Sequence, residues 1–366
     1  VATNKDELIT HHKARINKTR VFLQPGLDYT LLMRKHFGMF AAKMKSRTGF
    51  MLHHGIGADK EVVWGAIWNE LTEVGSNGFD VDYSNYDGTT QPMAFDFFLE
   101  ITDHYYGPVN RKVRHALIHC LSQSEVIVGD YLCETSQGNN SGNPLTDIFN
   151  SMTNVWFIYC SYMIARDVRG LDITMKEFDD NVRFLTYGDD VILAASDETL
   201  EYFNRVTVFE TAALIGMKVT AANKSALINP YEDLECLTFL KSPFEKRAGY
   251  MAAPLPLTVI HRELMWEKKV NEGDVTIAKQ RIDQAMGMIA HHGQLAVMEL
   301  TKELKDNNIV VDFNYRLWEA EMRDKQEFAR IEVVYDQDPI NMDDYYLETR
   351  LIDSDSEDEW APMEEE

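Results

Sequence analysis

Residues 182–196, VRFLTYGDDVILAAS, set two adjacent aspartates in a tight turn between two apolar runs. Residues 182–186 and 191–195 are short and rich in β-branched and apolar side chains, so each reads as a buried strand. Tyr187-Gly188-Asp189-Asp190 joins them as a hairpin turn, because Gly and Asp tolerate the backbone angles a tight turn demands. Burying strands on both sides of two carboxylates is costly unless their charge is offset. A divalent metal supplies that offset, and hard oxygen ligands suit Mg²⁺, with Mn²⁺ as an alternative. The plainer reading of the same string is an ordinary Gly-Asp turn with one carboxylate in solvent.

A further carboxylate far upstream favours the metal reading. Residues 78–83, GFDVDY, alternate like a strand and then break into Ser84-Asn85-Tyr86-Asp87-Gly88. Asp82 falls at the strand end and Asp87 past the turn, while Asp80 reads as a solvated acid. If this strand pairs beside the hairpin, Asp82 and Asp189 face one another. Two such carboxylates can hold two metal ions about 4 Å apart, the arrangement that stabilises the attacking and leaving oxygens of phosphoryl transfer.

Residues 82–87 (DYSNYD), residues 141–151 (SGNPLTDIFNS) and the 187–190 turn resemble, in that order, motifs A, B and C of the RNA-dependent RNA polymerases of picornavirus-like positive-strand RNA viruses. The resemblance implies that Asp82 and Asp189 bind two Mg²⁺ ions, with Asp190 supporting them less directly. It implies that Asp87, Thr146 and Asn150 read the ribose 2′-OH, and that Ser141 and Gly142 form a moving loop under the templating base. A site built to pair a hydroxyl rejects substrates that lack it, since its own polar groups are then left unpaired. Reverse transcriptases share the Asp-Asp turn but as a family place a bulky gate where Asp87 stands, so the chain reads as RNA-making.

Residues 1–60 carry eleven Lys/Arg against four Asp/Glu in an otherwise acidic chain, a local excess that reads as a phosphate-binding surface or as a solvated basic loop. It resembles motif F, which implies that Lys5, Lys13, Arg15, Lys18 and Arg20 neutralise a nucleoside triphosphate. Many relatives continue Lys-Asp-Glu-Leu with Arg where this chain has Ile9. Residues 199–215 read as one amphipathic helix ending at Gly216. The segment after it resembles motif D, whose lysine protonates leaving pyrophosphate, and Lys224 fits that position better than Lys218. Residues 236–241 (CLTFLK) resemble motif E, a hairpin that grips the primer end, with Lys241 near its phosphates and residues 245–249 as the hairpin's turn.

The four cysteines (Cys120, Cys133, Cys160, Cys236) contain no CxxC pair and read as buried free thiols. His-His pairs at 11–12, 53–54 and 291–292 lack further ligands at zinc spacing, so surface or core histidine is the better reading. No segment is apolar enough over sufficient length to span a bilayer, and no signal peptide is visible. The net charge of −23 looks wrong for a nucleic-acid binder, but residues 331–366 supply −13 of it, from fourteen Asp/Glu and one Arg. The last stretch, 353–366, reads as disordered.

The expected class is α+β: a right-hand polymerase whose palm is an antiparallel sheet packed on helices, with partial fingers and a helical thumb. Residues 1–75 are expected to be partial fingers with the basic loop. Residues 76–233 are expected to be palm with a fingers insert at about 92–122, 234–330 primer hairpin and thumb, and 331–366 an acidic tail. In the thumb, Ile282, Met286 and Ile289, with Trp266 and Leu295, read as core. The chain opens inside what resembles motif F, which implies a piece of a polyprotein lacking the N-terminal fingers. The resemblance further implies RNA template and primer, nucleoside triphosphates, a small protein primer and other viral replication proteins as partners. It also implies host cytoplasmic membranes as the place of replication. A folded but inactive fragment and a reverse transcriptase are the competing readings.

Overall fold

The computed structural model of the chain describes residues 2–4, 11–16, 21–128, 130–172, 174–217, 219–220, 229–265, 275–329, 331 and 333–334. Its centre is an antiparallel sheet of β1 (Asn77–Tyr83), β2 (Val182–Tyr187), β3 (Asp190–Ala195), β4 (Val219–Thr220) and β5 (Glu232–Asp233). The order is β5-β1-β3-β2, and β4 pairs with the far end of β1. The upstream strand thus sits against the hairpin, in a register that runs from Gly78↔Ala194 to Val81↔Val191.

The principal helices are α1 (Leu27–Lys45), α2 (Lys60–Val74), α3 (Pro92–Tyr106), α4 (Arg111–Ser122), α5 (Thr146–Val168), α6 (Arg205–Leu214), α7 (Leu257–Met265), α8 (Val275–Ala290), α9 (Gln294–Asp306) and α10 (Tyr315–Glu327). Successive strand residues point to opposite faces, and here both faces are covered. Phe79, Val81, Phe184, Val191 and Leu193 pack with Phe157, Ile158 and Tyr162 of α5 and Val208 of α6. Leu185, Ile192 and Ala194 pack on the other face with Trp64, Ile67 and Trp68 of α2. Double burial explains why these strands read as nearly continuous apolar runs instead of alternating ones. The outer edge of β2 is closed by a loop: Thr186 N–H donates to His53 O at 2.9 Å, and Gly55 N–H donates to Thr186 O at 2.8 Å.

Two further apolar clusters lie outside the sheet. One joins α1, α3, α4 and the start of α5 through Phe37, Phe98, Leu117 and Phe149. The other joins α7 to α10 with Tyr250 and Ala252, and Met286 and Ile289 are buried in it as expected. Leu295 is not part of that core: it is 77 % exposed on α9, whose buried stripe is Val297, Leu300 and Leu304. Trp266 lies outside the described residues.

Other expectations are corrected as well. The single helix expected over 199–215 is two, Asp197–Leu200 and α6. Asn204 divides them, its side chain accepting from Val206 N–H at 3.0 Å while Thr207 bonds back, so a capping box starts a new helix where the apolar pattern runs on. The hairpin after residue 236 also differs. Glu245–Arg247 pairs with Tyr250–Ala252, so residues 245–249 are strand and turn, and Leu240–Lys241 makes a separate tight turn within the Phe239↔Ser242 bridge. Cys120, Cys133 and Cys236 are exposed and Cys160 is half-buried, so none is the buried thiol expected. Helix α10 was not anticipated, since its polar surface hides a short stripe of Trp318 and Met322.

Candidate active site

The β2–β3 hairpin closes at Tyr187↔Asp190, leaving Gly188 and Asp189 as the two turn residues. Gly188 takes the positive φ of 63° at the first turn position, which a side chain would strain. Helix α5 fastens this turn from beneath. Ser151 Oγ accepts from Gly188 N–H at 2.7 Å, and Asn154 Nδ2 donates to Gly188 O at 3.1 Å. Asp189 is therefore exposed at the tip of a turn whose backbone is fixed.

Continuing the β1–β3 register one step past Val81↔Val191 sets Asp82 beside Asp190, with Asp189 in the turn just beyond. The two strands thus gather all three acids at one end of the sheet, with Asp82 facing Asp190 across the ladder rather than Asp189. Burial and then the charges of Asp189 and Asp82 push the Asp190 carboxyl up to about 6, while Lys241 pulls it down. Three carboxylates gathered at one end of the sheet, all with hard oxygen donors, suit a divalent cation. Among the described residues no three His, Cys, Asp or Glu side chains converge as a finished metal cage.

Asp80 is not the solvated acid expected. It is 7 % exposed and held by Arg205 of α6, itself 1 % exposed, whose Nη2 donates to Oδ1 at 2.9 Å and Nε to the backbone O at 3.1 Å. Asp80 and Asp82 point to the same side of β1, so one acid is neutralised by protein and the next stands at the sheet's end.

The residues assigned to the sugar are brought together. Asn150 Nδ2 donates to Asp87 Oδ1 at 2.8 Å, and Asn150 Oδ1 accepts from Asn139 Nδ2 at 2.9 Å. Asn143 Nδ2 extends the chain of amides to Asn139 Oδ1 at 2.8 Å, and Tyr86 O–H donates to Asn150 O at 2.8 Å. Thr146 opens α5 one turn before Asn150, but its hydroxyl donates to Asn143 O at 2.9 Å, leaving it to act as an acceptor. Ser141 and Gly142 lie in the preceding loop, where Gly142 N–H donates to Leu23 O at 3.2 Å.

Lys241 sits in a turn where both Leu240 (φ 49°) and Lys241 (φ 64°) are left-handed, and it reaches Asp190 electrostatically. Arg15 is exposed in the short helix His11–Arg15. Lys5, Lys18, Arg20 and Lys224 lie outside the described residues, as does the side chain of Lys13. The acidic segment 353–366 lies outside them too.

Sequence reading missed Ser151, Asn154, Tyr83 and Asn139. The available signal was a run of polar residues, Asn150, Ser151, Thr153 and Asn154, within the apolar stretch of α5. All four are buried, which costs free energy unless each finds a partner.

The family model for viral RNA-dependent RNA polymerase matches residues 2–305. The genome polyprotein of Rice tungro spherical virus (strain A) is 31% identical over 296 residues, covering 78% of this chain and 8% of the polyprotein. The replicase polyprotein of Cricket paralysis virus is 26% identical over 351 residues, covering 88% of this chain and 19% of the polyprotein. The chain therefore spans only a small part of these relatives. Among solved structures, the Sicinivirus 3Dpol RNA dependent RNA polymerase has the same fold, with a TM-score of 0.74 at 20% identity, over 88% of this chain and 67% of that one.

Proposed function

This chain belongs to the viral RNA-dependent RNA polymerase family, and on that premise we propose that it elongates RNA on an RNA template by two-metal nucleotidyl transfer during viral genome replication. One observation carries the reading: strands distant in sequence pair so that Asp82, Asp189 and Asp190 meet at one end of a rigid sheet. Bound there, two divalent cations would stabilise charge on the attacking 3′-oxygen and on leaving pyrophosphate.

The chain's own groups position and neutralise, since base pairing with the template selects the nucleotide. Asp82 and Asp189 hold the cations, with Asp190 in support. The Asn150–Asp87 pair and the Thr146 oxygen face the ribose, and Ser141 and Gly142 line the template side. Lys5, Lys13, Arg15, Lys18 and Arg20 offset the triphosphate, Lys241 the primer phosphates, and Lys224 donates the proton that leaves with pyrophosphate. Priming by a small protein, further viral replication proteins as partners and a site on host cytoplasmic membranes belong to the same proposal. No helix among the described residues is long and apolar enough to cross a membrane.

The test is primer extension on an RNA template with NTPs or with dNTPs alone. Extension with NTPs that Asp189→Asn abolishes without lowering the melting temperature supports the reading. Efficient use of dNTPs would instead mark a reverse transcriptase. A second reading, a folded fragment that binds but does not extend, is favoured by coverage of only 67% of the solved polymerase chain. Inactivity here, beside activity of a version extended upstream, would establish it.

A further inference from the structure

We propose that Asn154 is a positioning residue that sets the spacing of Asp82 and Asp189, tying the two acid-bearing segments together through Tyr83 and Gly188. Asn154 is fully buried on α5. Its Oδ1 accepts from Tyr83 O–H at 2.7 Å, and its Nδ2 donates to Gly188 O at 3.1 Å. The orientation is forced, because a carbonyl oxygen can only accept and the NH₂ group must face Gly188. Tyr83 directly follows Asp82, and Gly188 directly precedes Asp189. A single amide therefore spans from the backbone beside one acid to the backbone beside the other.

Ser151 makes the tie two-sided. Its Oγ takes the Gly188 N–H at 2.7 Å, so both polar groups of that peptide residue end on one face of α5. The β1–β3 pairs run to Val81↔Val191, one step short of Asp82, whose other edge pairs with Thr220 of β4. Tyr83 is 6 % exposed and packs edge-on to Phe157 of α5 with ring centroids 5.9 Å apart, so its hydroxyl is delivered to Asn154 by a packed ring. Leaving buried amide and hydroxyl groups unpaired is costly, so the three bonds hold one geometry. The same helix carries Asn150, one turn earlier, against Asp87. Sugar recognition and acid spacing are thus read from one rigid element.

This inference rests on the metal role assigned above to Asp82 and Asp189. Its test is Mn²⁺ binding to the full chain, followed by the electron paramagnetic resonance of free Mn²⁺, so no catalytic turnover is needed. Tyr83→Phe and Ser151→Ala are conservative, and each removes one bond of the tie. Groups that orient metal ligands typically matter about tenfold or more in affinity, so each variant is expected to weaken Mn²⁺ about tenfold. Tyr29→Phe, which removes a comparable hydroxyl donated to Leu117 O at 2.9 Å, should leave Mn²⁺ binding unchanged. In primer extension the same two variants should raise the Mg²⁺ requirement and lower kcat without changing KM for NTPs. Mn²⁺ affinity in Tyr83→Phe and Ser151→Ala equal to wild type overturns the inference while the metal assignment stands. If wild type binds no Mn²⁺, or Asp82→Asn binds it as wild type does, the metal assignment falls and the inference with it.

Discussion

Arg205 holds Asp80 at both ends of the residue, donating to the side chain at 2.9 Å and to the backbone oxygen at 3.1 Å. Its remaining Nη1 donates to Asn229 O at 2.9 Å, so one guanidinium on α6 ties β1 to the segment entering β5. Removing one partner of a buried pair leaves the other charge uncompensated. Arg205→Met is therefore expected to cost about 3–5 kcal/mol, read from urea unfolding. A loss no larger than that of an exposed surface arginine would show that the pair does not hold β1.

Asn150 meets Asp87 at 2.8 Å, and hydrogen bonds to a charged group contribute about 1.5–3 kcal/mol. Asn150→Ala should thus erode the preference for NTPs over dNTPs by roughly tenfold to a hundredfold. Competitive single-nucleotide incorporation measures it. An unchanged preference would move sugar selection away from this pair.

Gly142 has no room for a side chain: an added Cβ would lie 2.3 Å from Leu23 O, a backbone atom. Gly142→Ala must displace its own loop or the end of the Val21–Leu23 strand, at a cost of about 1–3 kcal/mol. RNA affinity and extension should fall further than thermal stability does, which filter binding and calorimetry on the same sample would compare.

Burial holds the His53, His54 and His291 imidazoles down at about 4. His53 is neutral by its bonds as well, since Nδ1 must donate to Phe184 O at 3.4 Å and Nε2 accept from Tyr159 O–H at 2.6 Å. The unfolded chain takes up these protons near pH 6.5, before the folded one does. Stability is therefore complete above that pH and is lost as the pH falls from about 6.5 towards 4. For His54, which is 1 % exposed, the loss reaches up to about 3 kcal/mol. Neither of its ring nitrogens has a hydrogen-bond partner among the described residues, so His54→Leu should be tolerated at pH 7.5 and should flatten the acid decline. Melting temperature against pH for both proteins tests this.

The hairpin that carries Asp189 and Asp190 and the strand that carries Asp82 were legible in the chain before any fold was known. These depend on local pattern: apolar runs of strand length and a Gly-Asp turn. The resemblance assigned Asp87, Thr146 and Asn150 to one ribose, while the direct bond from Asn150 to Asp87 emerged only in the fold. That Asp82 stands across from Asp190 followed from the assembled sheet alone, because strand register depends on which distant segments pair. The fold alone turned Asp80 from a surface acid into a buried one, since Arg205 lies far along the chain and no local pattern announces it. The same holds for Asn154, which reads as a polar flaw in an apolar helix until Tyr83 and Gly188 arrive at its two ends. Periodicity reports what a residue prefers to be near, and a buried hydrogen bond reports what has been brought there.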